Sequence, residues 1–421
     1  MKNKLRNKKG ITLIALVITI IVLLILAGVS ITMISSQDGI LGKATSAKDA
    51  QNKVAEEENE KLAIQAALID GEGTIDVSKL TEDSDIVKAY TDKGYTYKGE
   101  GTFVSKDGKE AISITESGEI EKAVIPADFT YKEGTVNKGL VIENTKAGEF
   151  VWVPVPDVIY TGTKAEETTK IKVAQGTDNK EYYTPMAKLQ ESSTTNYEGI
   201  LYDLNKAKGN QAVMSSYGVG TTNYREPVLV EGKDMQEEYN NMVKSVAKYG
   251  GFYVGRYETG IDKTSKKAVS KNASITDNNT TTANASQADT NKWYGLYNKQ
   301  RTMAKDNGLY SVESSMIWGS QYDAMMIWMQ KTGTTIGTGY DTKKRKADER
   351  VTGNSPNDII NKVYDLYGCH IEWTLESLNT GDRVFRGGCY AVYDCAPSDR
   401  FNVHQDNAFS YNGSRLSLYI K

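Results

Sequence analysis

The polarity of the chain changes in long blocks. No charge occurs from Ile11 to Gln37, and Ile11 to Ile34 is almost wholly apolar. A helix of that length spans the roughly 30 Å of a bilayer's hydrocarbon. Lys2, Lys4, Arg6, Lys8 and Lys9 precede it, which predicts a cytoplasmic start with the rest of the chain outside. The apolar run is too long for a secretory signal peptide, and no small-residue cleavage site closes it. From about Ile40 to Ile69 the pattern turns polar and rich in Ala, Glu, Lys and Gln, residues of high helix propensity. Apolar positions return at Leu62, Ile64, Ala67 and Leu68, so the helix end is expected to dock on a globular part. Gly71 and Gly73 are expected to stop it.

Beyond that stem the runs shorten. Thr74 to about Lys122 alternates in short stretches around a Lys106-Asp107-Gly108 turn, predicting a small separate β-module with a hairpin. From about Val124 the segments lengthen and carry aromatics. Gly139 to Asp157 reads as two strands about a turn at Lys146-Ala147-Gly148, and Gly250 to Gly260 as another strand. Gln236 to Tyr249 is predicted helical. So is Leu309 to Met329, with Trp318, Tyr322, Met325 and Trp328 as core. Thr161 to Glu231 is polar with glycine turns, and Ser265 to Asn291 is of low complexity and expected to be a solvated loop.

The final block, Asp365 to Lys421, mixes a regular scaffold with an irregular filling. EWT, RVFRGG and GSRLSLYIK look like framework. Between Cys389 and Ser414 the sequence is Tyr, Asp, Cys, Ser, Asn, His, Phe, Val and Ala in no periodic order, without Lys, Glu, Met or Trp. A half-buried strand would alternate and a disordered tail would lack aromatics. Tyr, Ser and Asn with a few large anchors is closer to a binding loop. Both histidines (His370, His404) and all three cysteines (Cys369, Cys389, Cys395) fall in this block.

Composition narrows the function. The net charge of −3 argues against a general nucleic-acid binder. Tyr is abundant (26) and Phe scarce (7), which suits a half-wet surface. Cys369, His370, Cys389, Cys395 and His404 could form a metal constellation. They lack recognised ligand spacing, so no cofactor or metal is expected.

The basic leader, Gly10 and uninterrupted apolar helix resemble the N-terminus of type IV pilins and pseudopilins. That resemblance implies cleavage by a prepilin peptidase after Gly10, methylation of Ile11, and other pilins as partners. The family usually has Glu at the fifth mature position, where this chain has Ala15. A minor or tip subunit fits that departure.

Further on, GGFYVGRYETG, MIWGSQYDAMMIWM, VYDLYGCHIEWT, RVFRGGCY and GSRLSLYIK follow one another in an order that resembles the formylglycine-generating-enzyme and sulfatase-modifying-factor family, a variant of the C-type lectin fold. Its enzymes place two cysteines at the fourth and ninth positions after the Gly-Gly to bind copper. Val392 and Pro397 stand there in this chain, so no enzyme activity is expected. The same fold with a closing strand like GSRLSLYIK resembles the variable proteins of diversity-generating retroelements. There, adenines of Asn codons are randomised, which cannot yield Lys, Glu, Met or Trp. All four are absent from the filling; Gln405 is not reachable from an Asn codon and would be framework or arise from another codon, and the clustering of Cys and His then needs no chemistry.

The expected fold is α+β. Residues 1–10 are a leader, 11–69 a membrane-spanning stem and 70–123 a small β-module. Residues 124–421 are a lectin-like domain with a variable region at about 365–421. The expected function is ligand binding at the cell surface, toward a protein or glycan. The alternatives are an exported formylglycine-generating-type enzyme and a purely structural minor pilin. The expected face comprises Cys369, His370, Cys389, Ala391, Val392, Tyr393, Asp394, Ser398, Asp399, Phe401, Asn402, Val403, His404, Asp406, Asn407, Phe409 and Tyr411. Of these, Tyr393, Phe401, Phe409 and Tyr411 are the expected hot spots. Trp373, Arg386, Gly387, Gly388, Arg415 and Leu416 are expected to hold the fold.

Overall fold

The computed structural model describes residues 20, 23, 40–155, 159–161, 170–175, 181–185, 235–262, 264–272, 276–277, 292–333, 352–377, 383–389, 397, 400–403, 407 and 411–421. The expected processing site at Gly10 and Ile11 and nearly all of the apolar run lie outside these residues. Among the described residues no helix is long and apolar enough to cross a membrane. The chain divides into two compact units, Met1–Gly73 and Thr74–Lys421.

The first unit carries helix α1, Ile40–Asp70. Its Val54, Leu62 and Ile69 are exposed, whereas Ile64 is buried. It ends in a Schellman turn: Gly73 N–H donates to Leu68 O at 2.7 Å and Glu72 N–H to Ile69 O at 3.3 Å. The left-handed residue is Glu72, with φ +52°, so the expected glycine stop is displaced by one position onto a carboxylate.

The second unit mixes helix and sheet. After helix α2 (Asp85–Asp92), strands β1 (Tyr95–Gly99), β2 (Thr102–Ser105), β3 (Glu110–Ile114) and β4 (Ile120–Val124) form an antiparallel meander. The sequence predicts a separate module here. In the structure Val104, Ala111 and Ala123 share one apolar cluster with Phe129, Leu140, Phe150 and Trp152. This meander therefore shares its core with the strands that follow.

Those strands are β5 (Thr130–Glu133), β6 (Val141–Asn144) and β7 (Gly148–Pro154). Next along the chain come β8 (Ile159–Thr161), β9 (Lys170–Gln175) and β10 (Glu181–Pro185), a small sheet of their own. Helix α3 (Met235–Tyr249) leads into β11 (Gly251–Gly255), then β12 (Gly260–Asp262), β13 (Ala268–Val269) and β14 (Thr276–Asp277). Helix α4 (Trp293–Asn307), β15 (Val312–Met316) and helix α5 (Gly319–Lys331) precede the hairpin β16 (Ile359–Ile360) and β17 (Val363–Tyr364). The chain closes with β18 (Ile371–Ser377), β19 (Arg383–Arg386), β20 (Arg400–Val403), β21 (Asn412–Ser414) and β22 (Leu416–Ile420).

The main sheet is six-stranded and antiparallel, in the order β15-β22-β11-β7-β6-β5. The last strand of the chain is therefore an interior strand. Every residue of β11 and β22 is buried. Phe150, Trp152, Tyr253 and Leu418 enter one apolar cluster, while Val151, Val153, Phe252, Val254 and Tyr419 enter another. Both faces are covered, which explains why these strands read as near-continuous apolar runs. Helix α3 buries Glu238, Met242, Ser245 and Val246, one face at helical spacing. Its Ser245 Oγ donates to Ile420 O at 2.7 Å. The helix predicted over Leu309 to Met329 forms only from Gly319, because Val312–Met316 is a strand of the main sheet; the expected core residues Trp318, Tyr322, Met325 and Trp328 are all buried. The low-complexity segment is more ordered at its start than its composition suggests. Ala268 and Val269 pair with β12, and they and Ser270 are buried. Residues 278–291 lie outside the description.

Candidate ligand-binding surface

The second sheet carries the C-terminal block. Its order is β20-β19-β18-β21, with β18 and β21 parallel and the other pairs antiparallel. Trp373, Phe385 and Phe401 are register partners across β18, β19 and β20, so they project to one face. Their exposure rises outward: Trp373 0%, Phe385 2%, Phe401 36%. The rings of Trp373 and Phe385 are 3.6 Å apart between centroids. Phe401 is thus the outer end of an aromatic row whose inner members are core.

The polar side of this sheet is buried as well. Arg415 sits between β21 and β22, fully buried. Its Nη1 donates to Gly255 O at 2.9 Å, and its Nη2 to Tyr364 O at 2.8 Å. The Nη2 group also donates to Glu372 Oε1, and Nε to Glu372 Oε2 at 3.2 Å. One guanidinium therefore ties the ends of both sheets and the β16–β17 hairpin to β18. Burial pushes Glu372 up to about 7 against the pull of Arg415. The Arg383 guanidinium carbon lies 3.6 Å from the centre of the Trp293 ring, and that of Arg386 4.5 Å from that of Tyr322. Stacking of this kind accommodates a desolvated guanidinium.

A second buried cluster lies where the chain enters β18. Asp358 accepts backbone N–H bonds from Tyr367 at 2.9 Å and Gly368 at 2.8 Å, and burial raises it to about 7. Asp365 Oδ2 accepts from Thr352 Oγ1 at 2.6 Å and from Gly353 N at 2.7 Å. Burial and the nearby Glu258 and Asp358 push Asp365 well above the usual carboxylate range. Glu258 Oε1 accepts the His370 backbone N–H at 2.8 Å. Its Oε2 lies 2.6 Å from His370 Nδ1, which in turn is 3.0 Å from Cys369 Sγ. Gly413 must lack a side chain here, because a β-carbon would stand 2.7 Å from His370 Cβ.

This geometry divides the expected face. Cys369, His370 and Cys389 are buried, so they are interior residues and do not belong to an exposed face. Val403 and Tyr411 are half-buried and pack against the main apolar cluster. Asn407 is half-buried and Phe401 is exposed. Asn402 pairs with Val384 in β20. Ala391, Val392, Tyr393, Asp394, Ser398, Asp399, His404, Asp406 and Phe409 lie outside the described residues, as do Cys395 and residue 390. The expected framework positions Trp373, Arg386, Gly387, Gly388, Arg415 and Leu416 are all buried, and Gly387 has the φ of +78° that favours glycine. Sequence reading missed Glu258, Asp358 and Asp365. No local pattern marks them, since Glu258 and His370 are 112 positions apart.

Among the described residues, the group able to hold a metal ion is Glu258, Cys369 and His370, whose donor atoms lie within 4.8 Å of one another. Cys389 is not one of them. No family model matches the chain, and neither does any curated protein or solved structure.

Proposed function

We propose that the chain is a surface-displayed, pilin-anchored binding protein whose C-terminal surface, on a lectin-like fold, is diversified by a retroelement mechanism. The observation that supports it best is the split between motif and filling. From EWT, RVFRGG and GSRL, Glu372, Trp373, Thr374, Arg383, Val384, Phe385, Arg386, Arg415 and Leu416 are each 0–2% exposed. The irregular stretch between Cys389 and Ser414 starts and ends on that framework, and Phe401 stands at its exposed edge. A rigid platform lowers the ordering cost of binding, while Tyr, Phe, Asn and Asp supply anchors and adaptable hydrogen bonds.

In this reading a prepilin peptidase cuts after Gly10, the apolar helix from Ile11 anchors the protein, and the partner is a protein or glycan. Catalysis of the formylglycine-generating type is no part of it, because Val392 and Pro397 stand where that chemistry places thiolates. Sequencing the DNA downstream tests the proposal. A near-copy of the segment encoding 389–414 that differs at adenines, beside a reverse transcriptase gene, is the expected result. Its absence from the locus overturns diversification.

A further inference from the structure

Glu258, Cys369 and His370 do more than fill the space beneath β18. In extended chain, successive side chains point to opposite faces. Cys369 has φ +57°, and this left-handed turn brings its sulfur and the next residue's Nδ1 within 3.0 Å. For a residue with a β-carbon that conformation is strained, and it persists where the surroundings over-determine it. Glu258 reaches in from the segment after β11 and sets Oε2 against the same nitrogen at 2.6 Å.

Glu258 Oε2, Cys369 Sγ and His370 Nδ1 lie within 4.8 Å of one another, and all three residues are buried. With the thiol deprotonated, each of these atoms offers a lone pair to the same small space. The wider cluster is rich in carboxylates. Asp358 and Asp365 are buried beside Glu258, and Arg415 is engaged by Glu372. Asp365 Oδ1 is buried with no hydrogen-bond partner.

We propose that Glu258, Cys369 and His370 bind a zinc-class divalent ion through a carboxylate oxygen, the thiolate and Nδ1, with a water in the fourth position. Sulfur and nitrogen donors suit zinc and exclude calcium and magnesium, which take oxygen ligands. Tetrahedral zinc bonds of about 2.0–2.3 Å set neighbouring donors roughly 3.3–3.8 Å apart, so the trio opens slightly as the thiol proton leaves and the ion enters. The ion neutralises the buried carboxylates and pins the loop after β11 to the start of β18. It acts beneath the proposed binding surface and does not depend on that reading.

The test uses the full chain, purified in detergent, stripped with a chelator and titrated with zinc chloride and cobalt chloride. The expected results are about one ion bound per chain, a proton released per ion, and a higher melting temperature on loading. Cobalt is expected to give a thiolate charge-transfer band in the near ultraviolet. Cys369→Ser should lose that band, and Glu258→Gln should weaken binding at least about tenfold. Cys389→Ala should retain both the band and the affinity. A stripped protein that takes up no ion, a cobalt complex without the thiolate band, or a band that survives in Cys369→Ser overturns the proposal. The band in the parent chain decides the matter even if a variant fails to fold.

Discussion

In the second unit, the six-stranded sheet and the β20-β19-β18-β21 sheet both rest on buried strands, and what they bury differs in kind. In the six-stranded sheet, β7, β11 and β22 present Val, Phe, Trp, Tyr and Leu to apolar clusters on both faces. In the β20-β19-β18-β21 sheet, Glu372, Thr374, Arg383, Arg386, Asn412 and Ser414 are buried alongside Trp373 and Phe385, and Arg415 joins the two. Apolar burial is non-directional and tolerates exchange of similar shapes. A buried ion pair adds little net stability, yet it penalises any arrangement that leaves a charge unmatched. The dry sheet therefore supplies stability, and the charged sheet fixes the geometry on which the irregular C-terminal filling is mounted.

The largest expected effect breaks this comparison at Arg415. Arg415→Met leaves Glu372 buried without its partner and should cost about 3–5 kcal/mol in chemical denaturation. The double variant Arg415→Met, Glu372→Met should recover much of that loss. In the dry sheet, Leu418→Ala should cost about 2–5 kcal/mol through the cavity it leaves, with no charge partner whose removal restores it. If the double variant at the charged sheet is as unstable as the single, the ion pair was a source of stability and the contrast fails.

A smaller effect is pH dependence. Asp358 is raised to about 7 in the fold, against an unfolded value near 3.9. The folded state therefore holds a proton that the unfolded state releases. This contribution is complete below about pH 4 and is lost as pH rises toward and through about 7. Glu372, also raised to about 7, acts in the same direction. Denaturation between pH 5 and 8 should show stability falling by on the order of 2 kcal/mol from each carboxyl, and Asp358→Asn should flatten part of that slope. A stability that climbs over this range would place the strain elsewhere.

The smallest effect should be at the edge. Phe401→Ser, at the exposed end of the aromatic row, should cost about 1 kcal/mol or less. Tyr411→Ser should cost more, because Tyr411 packs against the main apolar cluster. Equal losses, measured by thermal melting, would erase the distinction between anchor and core.

How much of this was legible depended on locality. GEFVWVP, GFYVG and LSLYI announce β7, β11 and β22, because strands covered on both faces are apolar throughout. The aromatic spacing of α5 announced its core positions. The burial of Ala268 and Val269 was hidden by the polar residues around them. The cluster at Glu258 was invisible because it unites residues 358–370 with a stretch about a hundred positions earlier, where Glu258 looks like a turn residue beside Thr259 and Gly260. Cys369 and His370 looked like surface filling, since nothing local tells that a left-handed turn sends both inward.

The central claim is that a buried framework carries a replaceable surface. A saturation library over residues 365–421 of the whole chain, displayed on cells and sorted for resistance to protease, tests it without knowledge of the ligand. The account predicts that substitutions at Trp373, Arg386, Gly387, Arg415 and Leu416 are depleted. Those at Tyr393, Asp394, Ser398, Asp399, His404, Asp406 and Phe409 should be tolerated, charged residues included. Depletion as strong at these seven positions as at the framework would show that the filling is core, and would contradict the account.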